Sequence, residues 1–140
     1  MRYWDSSAII PLLVEEPTTG SMTACYQAQP EMVAWWGSTL ECASALARLE
    51  REGHLDTASA TQAFLQFQSL HATWNEIQPL DIVRATAQRL VRVHPLRAAE
   101  SLQLSAALAA CDHRPQTWEF VCLDARLCAA RGTRGIQNDR

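Results

Sequence analysis

Short apolar runs alternate along this chain with longer stretches of helical period, and that alternation constrains its fold more than any other feature. Residues 2–5 (Arg-Tyr-Trp-Asp) read as a buried strand that enters a helix at Ser6 and Ser7, which puts Asp5 at the strand's C-terminal end. That helix runs through Val14 and breaks at Glu16-Pro17. A second, from about Thr18 to Gln27, stops before Pro30. Met32 to Trp36 is the next strand. Gly37 ends it, and Ser38 is placed to cap a helix in which Leu40, Ala43, Leu46 or Ala47 and Leu49 recur until Gly53. Asp56 opens a longer helix with the stripe Ala60, Phe64, Phe67, Leu70 and Trp74, and a short segment, Asn75 to Gln78, leads to Pro79. The following helix carries Leu80, Val83, Ala87, Leu90 and Val91 and breaks at His94-Pro95. Ala98 to Ala110 is helical with Leu102, Ala106 and Ala109 on one side. Phe120 to Leu123 is a short strand, Asp124 starts a helix to about Ala130, and residues 134–137 suit an edge strand.

Strands alternating with helices predict a mostly parallel sheet covered on both faces, a three-layer α/β/α arrangement. Parallel strands share one C-terminal edge, where ligands bind. Asp5 and Asp124 both emerge there, and Glu41 and Glu100 lie in the opening turns of helices that can begin nearby. Four carboxylates converging without a lysine are unfavourable unless something positive sits among them. A hard divalent cation, Mg²⁺ or Mn²⁺, is the economical answer, because it takes oxygen ligands and keeps waters for a substrate phosphate.

Composition narrows the chemistry. A chain of 140 residues, 48% hydrophobic and 19% charged, is expected to be one domain spanning 1–140. No apolar run approaches the length of a membrane span and the N-terminus lacks a signal pattern, so a cytoplasmic location is expected. All 12 basic residues are arginine, which excludes lysine nucleophiles and a P-loop, while the net charge of -3 leaves a local nucleic-acid site open. The 5 cysteines form no C-x-x-C pair and read as reduced core residues. His54, His71, His94 and His113 lack metal spacing, and Cys111-Asp112-His113 reads as a turn.

Each carboxylate also has a local explanation. Ser38-x-x-Glu41 is a capping box, Glu100 suits a helix's first turn and Asp124 an ordinary N-cap, whereas Asp5, a charge directly after a buried strand, needs a partner unless capping the next helix serves. Arg97 and Arg126 flank the cluster in sequence, as phosphate ligands or as solvated surface charges. Trp35 and Trp36 offer base stacking, with at least one expected in the core. Tyr26, Phe64, Phe67 and Trp74 are either core residues or a surface for a partner.

The motifs Tyr3-Trp4-Asp5-Ser6-Ser7-Ala8, Ser38-Thr39-Leu40-Glu41, Leu96-Arg97-Ala98-Ala99-Glu100-Ser101-Leu102-Gln103-Leu104 and Val121-Cys122-Leu123-Asp124-Ala125-Arg126-Leu127 together resemble PIN-domain nucleases, and closely the VapC toxins of toxin–antitoxin pairs. The resemblance implies a PIN-like sandwich and a metal-dependent endoribonuclease acting on single-stranded or loop RNA such as tRNA or rRNA. It also implies a homodimer and a cognate VapB-type antitoxin that blocks the site. Carried over by position, Asp5, Glu41, Glu100 and Asp124 form the catalytic quartet, Asp5, Glu100 and Asp124 the Mg²⁺ or Mn²⁺ ligands, and Ser6 the hydroxyl after the first aspartate. Glu100 stands where the family usually has aspartate, and Cys122 where it often has threonine or serine. Those departures leave a second reading, a PIN-fold module that binds RNA or antitoxin with weakened catalysis. A third, a helical interaction protein, requires the carboxylates to be spread apart.

Overall fold

The computed structural model describes residues 1–114 and 118–131. Four strands, β1 (Arg2–Trp4), β2 (Met32–Trp35), β3 (Asn75–Ile77) and β4 (Glu119–Val121), form one sheet in the order β3-β2-β1-β4. All three pairings are parallel, with Arg2 opposite Met32 and Glu119, and Val33 opposite Asn75. The 75–78 segment expected as a connector is therefore mostly an edge strand. Only three residues long and half exposed, it has too little apolar alternation to announce itself. The expected strand at 134–137 lies outside the described residues.

Strand alternation sorts the core into two clusters, one on each sheet face. Trp4, Met32, Ala34 and Val121 meet α1 (Ser6–Leu13), α2 (Thr19–Ala28), α3 (Ser38–Arg51) and α4 (Thr57–His71) through Ala8, Ile9, Met22, Cys42, Leu46, Ala63 and Phe67. Tyr3, Val33, Trp35, Phe120 and Cys122 point the other way, toward α5 (Asp81–Val93), α6 (Ala98–Ala110) and α7 (Ala125–Arg131), where Val83, Leu104, Ala106 and Leu127 receive them. The result is the expected three-layer sandwich.

Helix boundaries follow local chemistry. Asp56 caps α4 by accepting a hydrogen bond from the Ser59 N–H at 2.7 Å. Gly53, at φ 80, takes the left-handed turn just after α3. The start of α3 differs from expectation: Gly37 occupies the cap position, with no side-chain cap, and Ser38 is the first helical residue. Glycine is required there because a Cβ would lie 2.4 Å from Trp35 Nε1. Trp35 is buried, whereas Trp36 is 52% exposed.

Two helix stripes are also revised. On α5, Leu80 and Val91 face solvent while Val83, Thr86 and Ala87 face inward. On α6, Ser101, Gln103, Leu104, Ser105 and Ala106 are buried, and Leu102 and Ala109 only partly so. Its buried hydroxyls are satisfied, Ser105 Oγ donating to the Val83 carbonyl at 2.6 Å and Ser101 Oγ to the Ala98 carbonyl at 2.7 Å. Phe67 and Trp74 are buried and Tyr26 and Phe64 pack against the same cluster, so these four rings are core and not an open partner surface. Among the described residues no helix is long and apolar enough to cross a membrane.

Candidate active site

Two adjacent parallel strands bring the first and last acidic motifs together. β1 ends at Trp4 and β4 at Val121, and the Asp5 N–H donates to the Val121 carbonyl at 2.9 Å, extending the ladder to the residue that caps α1. Three residues beyond Val121, Asp124 caps α7, its Oδ1 accepting from the N–H groups of Arg126 at 2.9 Å and Leu127 at 3.1 Å. Asp5, Ser6, Glu41, Glu100 and Asp124 all line one cleft of about 380 Å³ at this edge. A purely helical interaction protein with dispersed carboxylates is thus excluded.

Asp5 is 4% exposed, and one of its oxygens is tied down. Oδ2 accepts from the Ser7 N–H at 3.0 Å and from Ser7 Oγ, with the Cys122 sulfur 3.7 Å away. Burial raises the Asp5 carboxyl above its ordinary range, the Ser7 bonds pull it back, and the charge of Asp124 pushes it up again. Ser7 also accepts from the Leu123 N–H at 3.0 Å, so one hydroxyl joins the Asp5 carboxylate to the segment that carries Asp124. Sequence reasoning singled out Ser6 and passed over Ser7. The cue was its position two residues after an N-cap aspartate.

Glu41 does not form the capping box with Ser38. Its Oε2 accepts from Ser6 Oγ at 2.9 Å and its Oε1 from Gln103 Nε2 at 3.0 Å. Gln103, 1% exposed, also donates to Ser38 Oγ at 2.9 Å and accepts from the Tyr3 hydroxyl at 2.6 Å. Burial raises the Glu41 carboxyl, these two side-chain bonds lower it, and the Asp5 charge raises it. Gln103 was invisible in the sequence because its signature, a polar residue inside an apolar helix, is shared by any solvated position.

Glu100 accepts from the Arg97 N–H at 2.7 Å, the glutamate half of a capping box, and its other oxygen lies 3.6 Å from Arg126 Nη1. Arg126 thus balances a carboxylate beside the cleft. Arg97 is exposed and, like Arg126, does not line the cleft. Among the described residues, the basic one that does line it is Arg48 on α3, which the sequence reading did not select.

The donor set suits a hard cation in part. The ligands are carboxylate oxygens, and a cation near Asp5 and Asp124 would offset both the burial that chiefly raises Asp5 and the added push from Asp124. Among the described residues no three His, Cys, Asp or Glu side chains approach closely enough to share an ion, so Asp5, Glu100 and Asp124 are not drawn into one three-residue cluster. The fit is therefore to an ion held by one or two carboxylates and several waters, the habit of Mg²⁺.

Solved structures share this architecture. A toxin–antitoxin complex from Klebsiella pneumoniae matches with a TM-score of 0.65 at 13% identity, over 92% of this chain and 91% of that one. FitAcB from Neisseria gonorrhoeae matches at 0.65 and 12% identity, over 94% and 93%. The fold is PIN-like. PAE2754 from Pyrobaculum aerophilum shows the same PIN-like likeness at 0.61 and 19% identity, over 93% of this chain and 79% of that one. No family profile and no curated protein matches the sequence.

Proposed function

We propose that this chain is a metal-dependent endoribonuclease toxin of the VapC kind, one domain that acts in the cytoplasm on single-stranded or loop RNA such as tRNA or rRNA. The observation that carries the reading is the meeting of Asp5, Glu41, Glu100 and Asp124 in one cleft at the C-terminal sheet edge. The PIN-like fold supports it, as does the likeness in fold to a toxin–antitoxin complex from Klebsiella pneumoniae. By the same resemblance the partners are a VapB-type antitoxin and a second copy of the chain.

Asp5 and Asp124 are the residues that would hold Mg²⁺ or Mn²⁺, with Glu100 reaching it through water. A bound cation supplies an acidified water and a counter-charge for the phosphate. Glu41 orients the attacking water: each of its oxygens accepts one protein hydrogen bond and keeps a lone pair for a water proton. Its raised carboxyl brings its basicity closer to neutral pH, where a general base is most effective. Ser7 keeps Asp5 turned toward the cleft, and Ser6 does the same for Glu41.

Cleavage of an end-labelled single-stranded RNA panel in Mg²⁺, Mn²⁺ or EDTA, with Asp5→Asn prepared in parallel, tests the proposal. Metal-dependent cleavage lost in the variant is expected. Equal cleavage by both preparations would overturn it as contamination. A folded protein that binds RNA without cutting it would favour the second reading, a weakened binding module, which the engagement of Glu100 by Arg97 and Arg126 makes concrete.

A further inference from the structure

The cleft does not end at the carboxylates. Glu41, Ala45, Arg48 and Leu49 all line it, and their spacing of four, seven and eight residues is one face of α3. Arg48 therefore sits two turns, roughly 10 Å, from Glu41 along the helix. Ile10 on α1 and Glu16 beyond its end line the cleft too, and α1 packs beside α3. The cleft thus continues as a furrow between α1 and α3, apolar along Ile10, Ala45 and Leu49 and charged at its far end.

Charge decides what this furrow can take. Among the described residues, five carboxylates line the cleft, Asp5, Glu16, Glu41, Glu100 and Asp124, against the single guanidinium of Arg48. Among the described lining residues, an RNA phosphate entering the cleft finds positive charge only at Arg48, beside whatever a bound cation supplies. Arg48 is exposed and pairs with no side chain among the described residues, Glu16 included, so its fork of donors is available. Arg126 is committed to Glu100 and Arg97 lies off the cleft.

We propose that the α1–α3 furrow is a subsite for a nucleotide flanking the scissile phosphate, with Arg48 gripping that nucleotide's own phosphate and Ile10, Ala45 and Leu49 lying under its base or sugar. The inference rests on the ribonuclease reading and adds to it what sets the register of the strand: the contact at Arg48 fixes which bond is presented to Asp5 and Asp124. Glu16 opposes the same phosphate and weakens the grip.

The test is fluorescence anisotropy of a labelled single-stranded RNA on the Glu41→Gln chain in Mg²⁺, over a salt series, with Arg48→Ala, Arg48→Lys and Glu16→Gln added singly. Arg48→Ala is expected to weaken binding roughly tenfold. It should also flatten the slope of log affinity against log salt by about 0.7, the signature of one lost phosphate contact on a single strand. Arg48→Lys should keep the slope and lose part of the affinity, and Glu16→Gln should tighten binding. A purely structural role for Arg48 near the end of α3 would leave the slope unmoved, and that result overturns the subsite while the ribonuclease reading stands. An RNA that the wild-type chain does not cut and the Glu41→Gln chain does not bind removes the ribonuclease reading, and the subsite with it.

Discussion

Gln103 Nε2 donates to Glu41 Oε1 across 3.0 Å, joining the middle of α6 to the first turn of α3 beneath the acidic cleft. The same amide spans Tyr3 and Ser38, so three side chains, from α3 and β1, depend on one buried residue of α6. A fully satisfied buried network of this kind fixes orientation, and a partly satisfied one is costly.

Gln103→Leu keeps the volume and strands Tyr3 Oη, Ser38 Oγ and Glu41 Oε1 without their partner. The expected loss is about 2–4 kcal/mol of stability, read from urea unfolding midpoints. An unchanged midpoint would show that water replaces the amide.

Asp5 and Glu41 both carry carboxyls raised first by burial. A raised carboxyl binds its proton more readily in the folded chain than in the unfolded one, so stability rises as pH falls through the folded value toward the unfolded one, near 4. In EDTA the wild-type chain should therefore gain stability as pH drops from neutrality. Asp5→Asn should be more stable than wild type near neutral pH, and the gap should close toward about pH 4. Asp56, lowered by its bonds to Ser59, works the other way, losing its contribution as pH falls from the unfolded value near 4 through its own depressed one. Unfolding midpoints of both proteins across pH measure this, and a gap that widens toward acid would refute it.

Mg²⁺ should raise the melting temperature of the wild-type chain in a concentration-dependent way, by about 2.7 kcal/mol of stabilisation at a hundred times its dissociation constant. Asp5→Asn and Asp124→Asn should abolish the increment. Glu100→Asn should only reduce it, because both oxygens of Glu100 already face Arg97 and Arg126.

Thiol chemistry offers an independent check on the core. Cys42, Cys111 and Cys122 are buried; burial pushes the Cys42 thiol up to about 12, while a hydrogen bond with Cys128 and then burial hold the Cys122 thiol well above its ordinary range. An aromatic disulfide reagent should label these three only after denaturant is added, while Cys25 and Cys128, partly exposed, react first. Rapid labelling of Cys122 in the native protein would contradict its place against Asp5.

The layers and the acidic edge were legible because period and punctuation carry them. Tyr3 and Trp4 alternate faces, Ala98–Ala110 is helical from its first residue to its last, and Asp5 and Asp124 each follow a short apolar run. What escaped was long-range chemistry. Nothing near Glu41 in the sequence says that its partners are Ser6 and Gln103 and not Ser38, since a local capping pattern looks the same whether or not the turn adopts it. Arg48 was hidden for a similar reason: only the path of α1 beside α3 makes it part of the cleft. β3 escaped because a three-residue strand at a sheet edge has no pattern of its own.

The pairing of β1 with β4 sets residues 2 and 119 side by side. During synthesis Asp5 leaves the ribosome early, yet Asp124 and the strand before it arrive only after six helices have been made. A chain halted anywhere before that point carries at most three quarters of the acidic quartet and no closed cleft. The chemistry proposed for this protein, directed at RNA, would then switch on only once β4 has been made and has paired with β1.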